Sequence, residues 1–260
     1  MGILNLTPNS FSDGGKYQTF KQAITHAVSM IESGADIIDI GGESTRPGAP
    51  EVSEQQEIDR VIPVVEELKK LYPELVLSID TTKSKVALEA LKLGADIIND
   101  ISGLQFDEKI AEYVAEYNKA LIIMHIKGVP RTMQVNPEYC DCTQEVFDFL
   151  QNKINLAKSF GVKKVIADIG IGFGKTYQNN WELLRNLSKF EELNVPLALG
   201  ISRKTFIGIL FNIPEPAKRD VETAFIHSLL LDKKVDIIRV HNVELYKKIR
   251  DIYYLLNNAN

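Results

Sequence analysis

Gly94-Ala95-Asp96-Ile97-Ile98-Asn99 repeats Gly34-Ala35-Asp36-Ile37-Ile38-Asp39 almost letter for letter, and Val235-Asp236-Ile237-Ile238-Arg239 repeats its second half. In each copy a glycine or short turn follows a helical pattern and precedes a brief apolar run that closes on a polar residue. That is a βα unit used again and again. The strands are too apolar to be half exposed, as expected of parallel strands covered on both faces.

Working outward, short apolar runs at Gly2–Leu6, Asp36–Ile40, Leu75–Asp80, Asp96–Asn99, Ala120–Met124, Lys164–Asp168, Leu197–Leu199 and Asp236–Val240 read as strands. Between them lie helical patterns: Thr19–Ser33, Ser53–Leu71, Ser84–Leu93, Glu108–Tyr117, Gln144–Phe160, Asn180–Leu193, two shorter helices within Thr205–Leu231, and a closing helix Asn242–Leu255. Ser53 and Gln56 form a candidate capping box, and Pro63 is expected to kink or divide its helix. Eight alternating units with right-handed crossovers close most readily as an α/β TIM (β/α)8 barrel, a single domain spanning residues 1–260. An open doubly wound sheet would want one Gly-rich fingerprint, whereas polar residues here end nearly every strand.

Composition narrows the function. A chain of 260 residues with a net charge of −5 has no clustered basic surface of the kind nucleic acid needs. Cys140 and Cys142 stand one residue apart with no further Cys or nearby His to complete a zinc set, and read as loop thiols in a reducing compartment. Neither a signal peptide nor an apolar run long enough for a membrane span is visible, which points to a cytoplasmic protein.

The chemistry is expected where strands end. Ser202-Arg203-Lys204-Thr205 follows an apolar run and opens a helix, and Asp80, Asn99 and Asp168 each end a strand. Buried carboxylates need donors, so this set suits cations or a ring rich in N–H groups. Lys204 suits either a Schiff base or a charged donor to a ligand oxygen; Arg203, Arg239 and His241 beside it favour the second. Two long turn-rich loops, Asn5–Gly15 and Gly41–Gly48, look functional. Gly170-Ile171-Gly172-Phe173-Gly174 lacks the spacing of a nucleotide loop and reads as a tight, exposed turn that lets a ligand approach, with Phe173 as a stacking face or merely a lid.

The opening Met1-Gly2-Ile3-Leu4-Asn5-Leu6-Thr7-Pro8-Asn9-Ser10-Phe11-Ser12-Asp13-Gly14-Gly15, the stretch Asp39–Gly48, and Ser202-Arg203-Lys204 together resemble the dihydropteroate synthase family. The resemblance runs from Met1 to the last helix. It implies condensation of 6-hydroxymethyl-7,8-dihydropterin diphosphate with 4-aminobenzoate to 7,8-dihydropteroate and pyrophosphate in folate biosynthesis, with Mg²⁺. It further implies SN1-like loss of pyrophosphate before arylamine attack, inhibition by sulfonamides, and a homodimer contacting through its late helices. By that resemblance Asp80, Asn99, Asp168 and Lys204 hold the pterin. Asn5, Arg239 and His241 hold the diphosphate, with Asn5 and Asp13 near Mg²⁺. Thr45, Arg46, Pro47, Phe173 and Thr205 form the aminobenzoate site, and Asp80, Lys204, Arg239 and His241 carry the catalysis.

Departures from the family pattern are Asn9 for Asp, Ile169 for Pro, Thr205 for Ser and Asn242 for Asp. The chain also opens inside the first motif, where relatives carry an upstream segment of roughly one to two dozen residues beside a barrel of the usual length. A misplaced start, or an uncovered barrel floor with lower stability, is the expectation. Two rivals share the pterin contacts: a pterin-dependent methyltransferase, which has no need of a diphosphate pocket, and a non-catalytic pterin-binding paralogue.

Overall fold

The computed structural model describes residues 1–6, 16–45 and 48–258. Its sheet has eight parallel strands in sequence order: β1 (Gly2–Asn5), β2 (Ile37–Gly41), β3 (Val76–Asp80), β4 (Ile97–Asp100), β5 (Ala120–Met124), β6 (Lys164–Asp168), β7 (Leu197–Leu199) and β8 (Ile237–Ile238). The barrel closes by a parallel bridge between Gly2 and Val240, supported by bonds from Ile3 N to Val240 O and from Val240 N to Met1 O, both 2.9 Å. The regular part of β8 is shorter than its apolar pattern, although Arg239 N still donates to Leu199 O at 3.0 Å.

The α-helices α1 (Lys16–Glu32), α2 (Glu54–Leu71), α3 (Ser84–Lys92), α4 (Lys109–Glu116), α5 (Cys142–Ser159), α6 (Tyr177–Arg185), α7 (Thr205–Phe211), α8 (Asp220–Ser228) and α9 (Val243–Asn258) alternate with these strands. The Gly-Ala-Asp repeat owes its glycine to the end of the preceding helix. Gly34 and Gly94 take φ of 94° and 92°, and the next amide reaches back to close the helix, Ala35 N to Met30 O and Ala95 N to Ala90 O, both 3.0 Å. The Ser53–Gln56 capping box opens α2 as expected. Pro63 does not divide that helix, which runs unbroken to Leu71. The helical pattern at Asn180–Leu193 resolves into α6, which starts earlier at Tyr177, followed by a 3₁₀ segment, Leu187–Leu193.

Strand parity sorts the side chains. Alternate residues such as Leu4, Ile38, Ile40, Leu77, Ile79, Leu121 and Leu199 point outward and pack with the helices in the main core. The other parity fills the barrel: Ile97, Ile122, Ile166 and Ala198 form a separate inner cluster, against which Met1, Ile37, Val76, Ala120 and Ile237 pack. Further along the same strands, two residues on or four in the case of Asp80, that inward parity delivers Asp39, Asp80, Asn99, Met124, Asp168, Gly200 and Arg239 toward the carboxyl-terminal mouth.

Candidate active site

A cleft at the mouth is lined by Asp80, Asn99, Asp168, Lys204 and Arg239, with Ile101, Met124, Phe173 and Gly200 among its walls. The three strand-end residues singled out in the sequence therefore meet, together with Lys204 and Arg239.

Arg239 is the hub. Its Nε donates to Asp39 Oδ2 at 2.6 Å and its Nη2 to Asp80 Oδ2 at 2.8 Å. Burial works against its charge, but Asp39 and Asp80 outweigh that and hold its pKa above the ordinary arginine value. Asn99 Nδ2 donates to the same Asp39 oxygen at 3.2 Å. Asp39 was not among the expected site residues, because it sits one residue before the apolar end of its run. Its signal lay in the repeat itself, where Asp39, Asn99 and Arg239 hold equivalent positions, and here the other two both donate to Asp39.

Asp80 is pushed up to about 7, chiefly by burial and further by Asp39, against the pull of Arg239. Burial also raises Asp168, although Gly170 N donates to its Oδ1 at 2.7 Å and Lys204 and Arg239 favour its charge. The other oxygen, Oδ2, lies 4.0 Å from the point where a Cβ on Gly200 would stand. Lys204 is brought down to about 8 by burial and by Arg239, and its Nζ stands 4.0 Å from the centroid of the Phe173 ring. Lys204 precedes α7 in an extended conformation and is placed by the start of that helix.

Arg203, expected to add a cation here, does not. It adopts φ 61° and pairs with Asp220 through bonds of 2.6 and 2.8 Å, tying α7 to α8. His241 lies close by, with Nδ1 2.9 Å from Ser202 Oγ and its own amide donating to that hydroxyl at 3.2 Å. Burial, with Arg203 and Arg239, takes the imidazole down to about 3, which favours a neutral ring over a second fixed cation.

Asn5 ends β1, where a Cβ on Gly41 would lie 3.6 Å from Asn5 Oδ1 and 3.7 Å from Asp80 Oδ2, so the two oxygens share one corner of the mouth. Among the described residues no group of three His, Cys, Asp or Glu side chains is arranged around a metal. Asn5 is a hard oxygen donor, and Mg²⁺ carried by phosphates needs only one or two protein oxygens, so this corner fits such an ion.

Thr45 is partly buried in the loop after β2 and Thr205 is exposed at the start of α7; neither lines the cleft. Asp13, Arg46 and Pro47, like Asn9, lie outside the described residues. The loop after β2 is clasped at its base: Glu43 accepts from Val52 N at 3.0 Å, and Lys83 bridges Glu43 and Glu57. Ile169 is fully buried, and the turn after it forms with Gly170 at φ 64°. A Cβ there would stand 1.9 Å from His125 O, so only glycine fits. Asn242 accepts from Leu245 N at 3.1 Å and caps α9, while donating to Asp220 at 3.3 Å.

A family model described as pterin binding enzyme matches residues 1–241. The chain is 44% identical to the dihydropteroate synthase of Synechocystis sp., over 96% of this chain and 86% of that protein. Among solved structures it is similar to Yersinia pestis dihydropteroate synthase with a sulfonamide drug complex, at a TM-score of 0.92 and 41% identity, covering 99% of this chain and 94% of that one. It is similar also to Xanthomonas albilineans dihydropteroate synthase with 4-aminobenzoic acid, at a TM-score of 0.93 and 37% identity, covering 100% and 93%.

Proposed function

The chain belongs to the dihydropteroate synthases of the pterin-binding enzyme family, and from that membership we propose how its strand-end cleft divides the two substrates. As a member it is a transferase of folate biosynthesis that joins 6-hydroxymethyl-7,8-dihydropterin diphosphate to 4-aminobenzoate, releasing pyrophosphate.

Asp168 is the observation that carries the pterin assignment. It is a buried carboxylate with one oxygen on the Gly170 amide and the other turned to the open space above Gly200. The pterin 2-amino group and N3–H form two parallel donors that match such a group. Asn99 takes a further ring nitrogen, and Lys204 donates to the ring carbonyl and N5 from the opposite wall. The ring lies over the inner apolar layer, with Ile101 and Met124 beside it.

The diphosphate points to the corner of Asn5, Arg239 and His241. Arg239 is preorganised by two carboxylates, so it meets the leaving group without reorienting. His241, kept neutral, donates a hydrogen bond and adds no charge. With the diphosphate bound, Asn5 and Asp13 would hold Mg²⁺, which supplies neutralisation of charge on departing pyrophosphate. Asp80 faces the pterin methylene and favours positive charge there as the C–O bond breaks. The arylamine is neutral near pH 7, so it needs orientation more than a general base. Phe173 and Thr205, with Thr45, Arg46 and Pro47 from the loop after β2, provide it, and sulfonamides compete in the same place.

Further proposals concern the assembly and its surroundings. Exposed apolar side chains gather on α7 and α8, with Ile209 60%, Phe225 63% and Leu229 82% exposed, and this supports a homodimer through the late helices. Among the described residues no helix is long and apolar enough to cross a membrane, and both cysteines are free, which fits the cytoplasm.

The test is pyrophosphate release from the pterin diphosphate with Mg²⁺, with and without 4-aminobenzoate, in the wild type and in Lys204→Ala. Release that rises with aminobenzoate, gives dihydropteroate and collapses in the variant is the expected result. Tight pterin binding without release would instead favour a non-catalytic paralogue.

A further inference from the structure

The sequence leaves Lys175 without a role once Gly174-Lys175-Thr176 is set aside as a nucleotide loop. In the fold it is a buried ammonium, 2% exposed, standing between the ends of β5 and β6. Its Nζ lies 2.8 Å from Gly170 O, 3.0 Å from Phe173 O and 2.8 Å from His125 Nδ1. These three contacts match the three N–H groups of an ammonium, and His125 O stands farther off at 3.4 Å. An ammonium has no lone pair to offer, so His125 accepts at Nδ1 and carries its proton on Nε2. None of these close partners is a carboxylate. The ammonium is bound by backbone carbonyls of the turn and by His125, the residue that follows β5.

We propose that Lys175 is a positioning residue for the arylamine: it pins the Gly170–Gly174 turn to the end of β5 and so fixes the ring of Phe173 opposite Lys204. The proposal rests on the reading of Phe173 as a wall of the aminobenzoate site. Both backbone groups of Phe173 are held, its amide by Gly170 O at 3.0 Å and its carbonyl by Lys175. The ring packs with Ile101, Met124, Ile126 and Met133 on one side and meets Lys204 Nζ on the other. Other bonds reach the turn, from Tyr139 OH to Gly174 O at 2.7 Å and to Asn180 from Gly172 N at 2.6 Å; Lys175 reinforces the bond from Phe173 N to Gly170 O by holding the carbonyls of both residues and joining them to His125. The turn also fits closely against the segment that follows β5, where a Cβ on Gly174 would lie 2.4 Å from Lys127 O. Burial brings the Lys175 ammonium down to about 7, against the pull of Cys142 and Asp168.

Asp168 sits on β6 before the turn and touches it through one bond, from Gly170 N to Oδ1, whereas Phe173 is part of the turn, so loosening the turn is expected to fall more heavily on Phe173 than on Asp168. In Lys175→Met the KM for 4-aminobenzoate is expected to rise about tenfold, with the KM for the pterin diphosphate changed less than about twofold. Phe173→Ala is measured beside it and is expected to raise the same KM, and the double variant to add little beyond Phe173→Ala. Lys175→Gln, which keeps two donors, is expected to fall between wild type and Lys175→Met. If Phe173→Ala raises the arylamine KM and Lys175→Met does not, the proposal is overturned while the Phe173 reading stands. If Phe173→Ala leaves that KM unchanged, the Phe173 reading fails and takes the proposal with it. Should both Lys175 variants fail to fold, Lys175 is a folding residue and the proposal is overturned.

Discussion

Arg239 Nε donates to Asp39 Oδ2 across 2.6 Å, joining the last strand of the barrel to the second at the mouth of the active site. Asp39 is fully buried and Arg239 partly so, and the same guanidinium holds Asp80 at 2.8 Å. Removing one partner of such a pair leaves a charge in a low-dielectric interior. Asp39→Ala is expected to lose about 3 kcal/mol of stability in urea denaturation. Asp39→Asn keeps an acceptor for Asn99 and Arg239 and is expected to fold, with weaker diphosphate binding because Arg239 is no longer fixed. Unchanged stability in Asp39→Ala would show that the bond carries no weight.

Gly200 separates binding from folding. A Cβ there would meet Arg239 Cβ and Cδ at 3.9 Å and Asp168 Oδ2 at 4.0 Å, ordinary contacts that displace no protein atom. Gly200→Ala is therefore expected to keep or gain stability, by about 0.5 kcal/mol, through a less flexible unfolded chain. The added methyl projects into the space assigned to the pterin, so the pterin KM is expected to rise about tenfold. Thermal melts and steady-state kinetics on one preparation check both halves, and a normal pterin KM would move the ring elsewhere.

Asp168→Asn places an amide donor against a pterin edge made of donors. The expected loss is about 3 kcal/mol of pterin affinity, roughly a hundredfold in Kd, by titration calorimetry. An unchanged Kd would remove Asp168 from the pterin slot.

Much of this was legible in the chain because one device was repeated. The Gly-Ala-Asp-Ile-Ile pattern marks a helix end and a strand start through its backbone needs, and strand parity then carries a polar terminal residue inward. Asp80, Asn99 and Asp168 stood out because each follows apolar residues and precedes a turn. Asp39 was hidden because Ile40 and Gly41 continue the apolar run past it. Arg203 misled because sequence order says nothing of φ, and at 61° its side chain turns to Asp220. Lys175 was hidden by its likeness to a phosphate-loop lysine, whereas its partners are carbonyls of its own turn. Pro63 warned of a break, but local propensity yielded to packing, since Val61, Val64, Val65 and Leu68 around it are buried in the core.

Acid sensitivity has a component outside the site. Burial takes His227 down to about 3 from an ordinary value of 6.5, and Nδ1 contacts Tyr246 OH while Nε2 is buried with no partner among the described residues. Between those pKa values the unfolded chain binds a proton that the folded chain refuses. The stability contributed by the neutral ring is thus full above 6.5 and is lost as pH falls through the window. Asp80 and Asp100, pushed up to about 7 and about 6, titrate in the opposite sense, so a single-variant comparison is needed to cancel them. From pH 7 to pH 5 the wild type is expected to lose about 2 kcal/mol more than His227→Gln in urea denaturation. Parallel losses in both proteins would place the proton elsewhere.

The roles proposed for Asp80, Lys204 and Arg239 have pyrophosphate departing before the arylamine attacks, and positional isotope exchange tests this most directly. A heavy-oxygen label is set in the bridge between the pterin methylene and the diphosphate, and the substrate is incubated with the protein and Mg²⁺ without 4-aminobenzoate, then recovered. The expected result is migration of label from the bridging to the nonbridging positions of the adjacent phosphoryl group, as pyrophosphate rotates beside a trapped pterin cation and recombines. A bridge that keeps its label, in a preparation that makes dihydropteroate once 4-aminobenzoate is added, would contradict departure before attack.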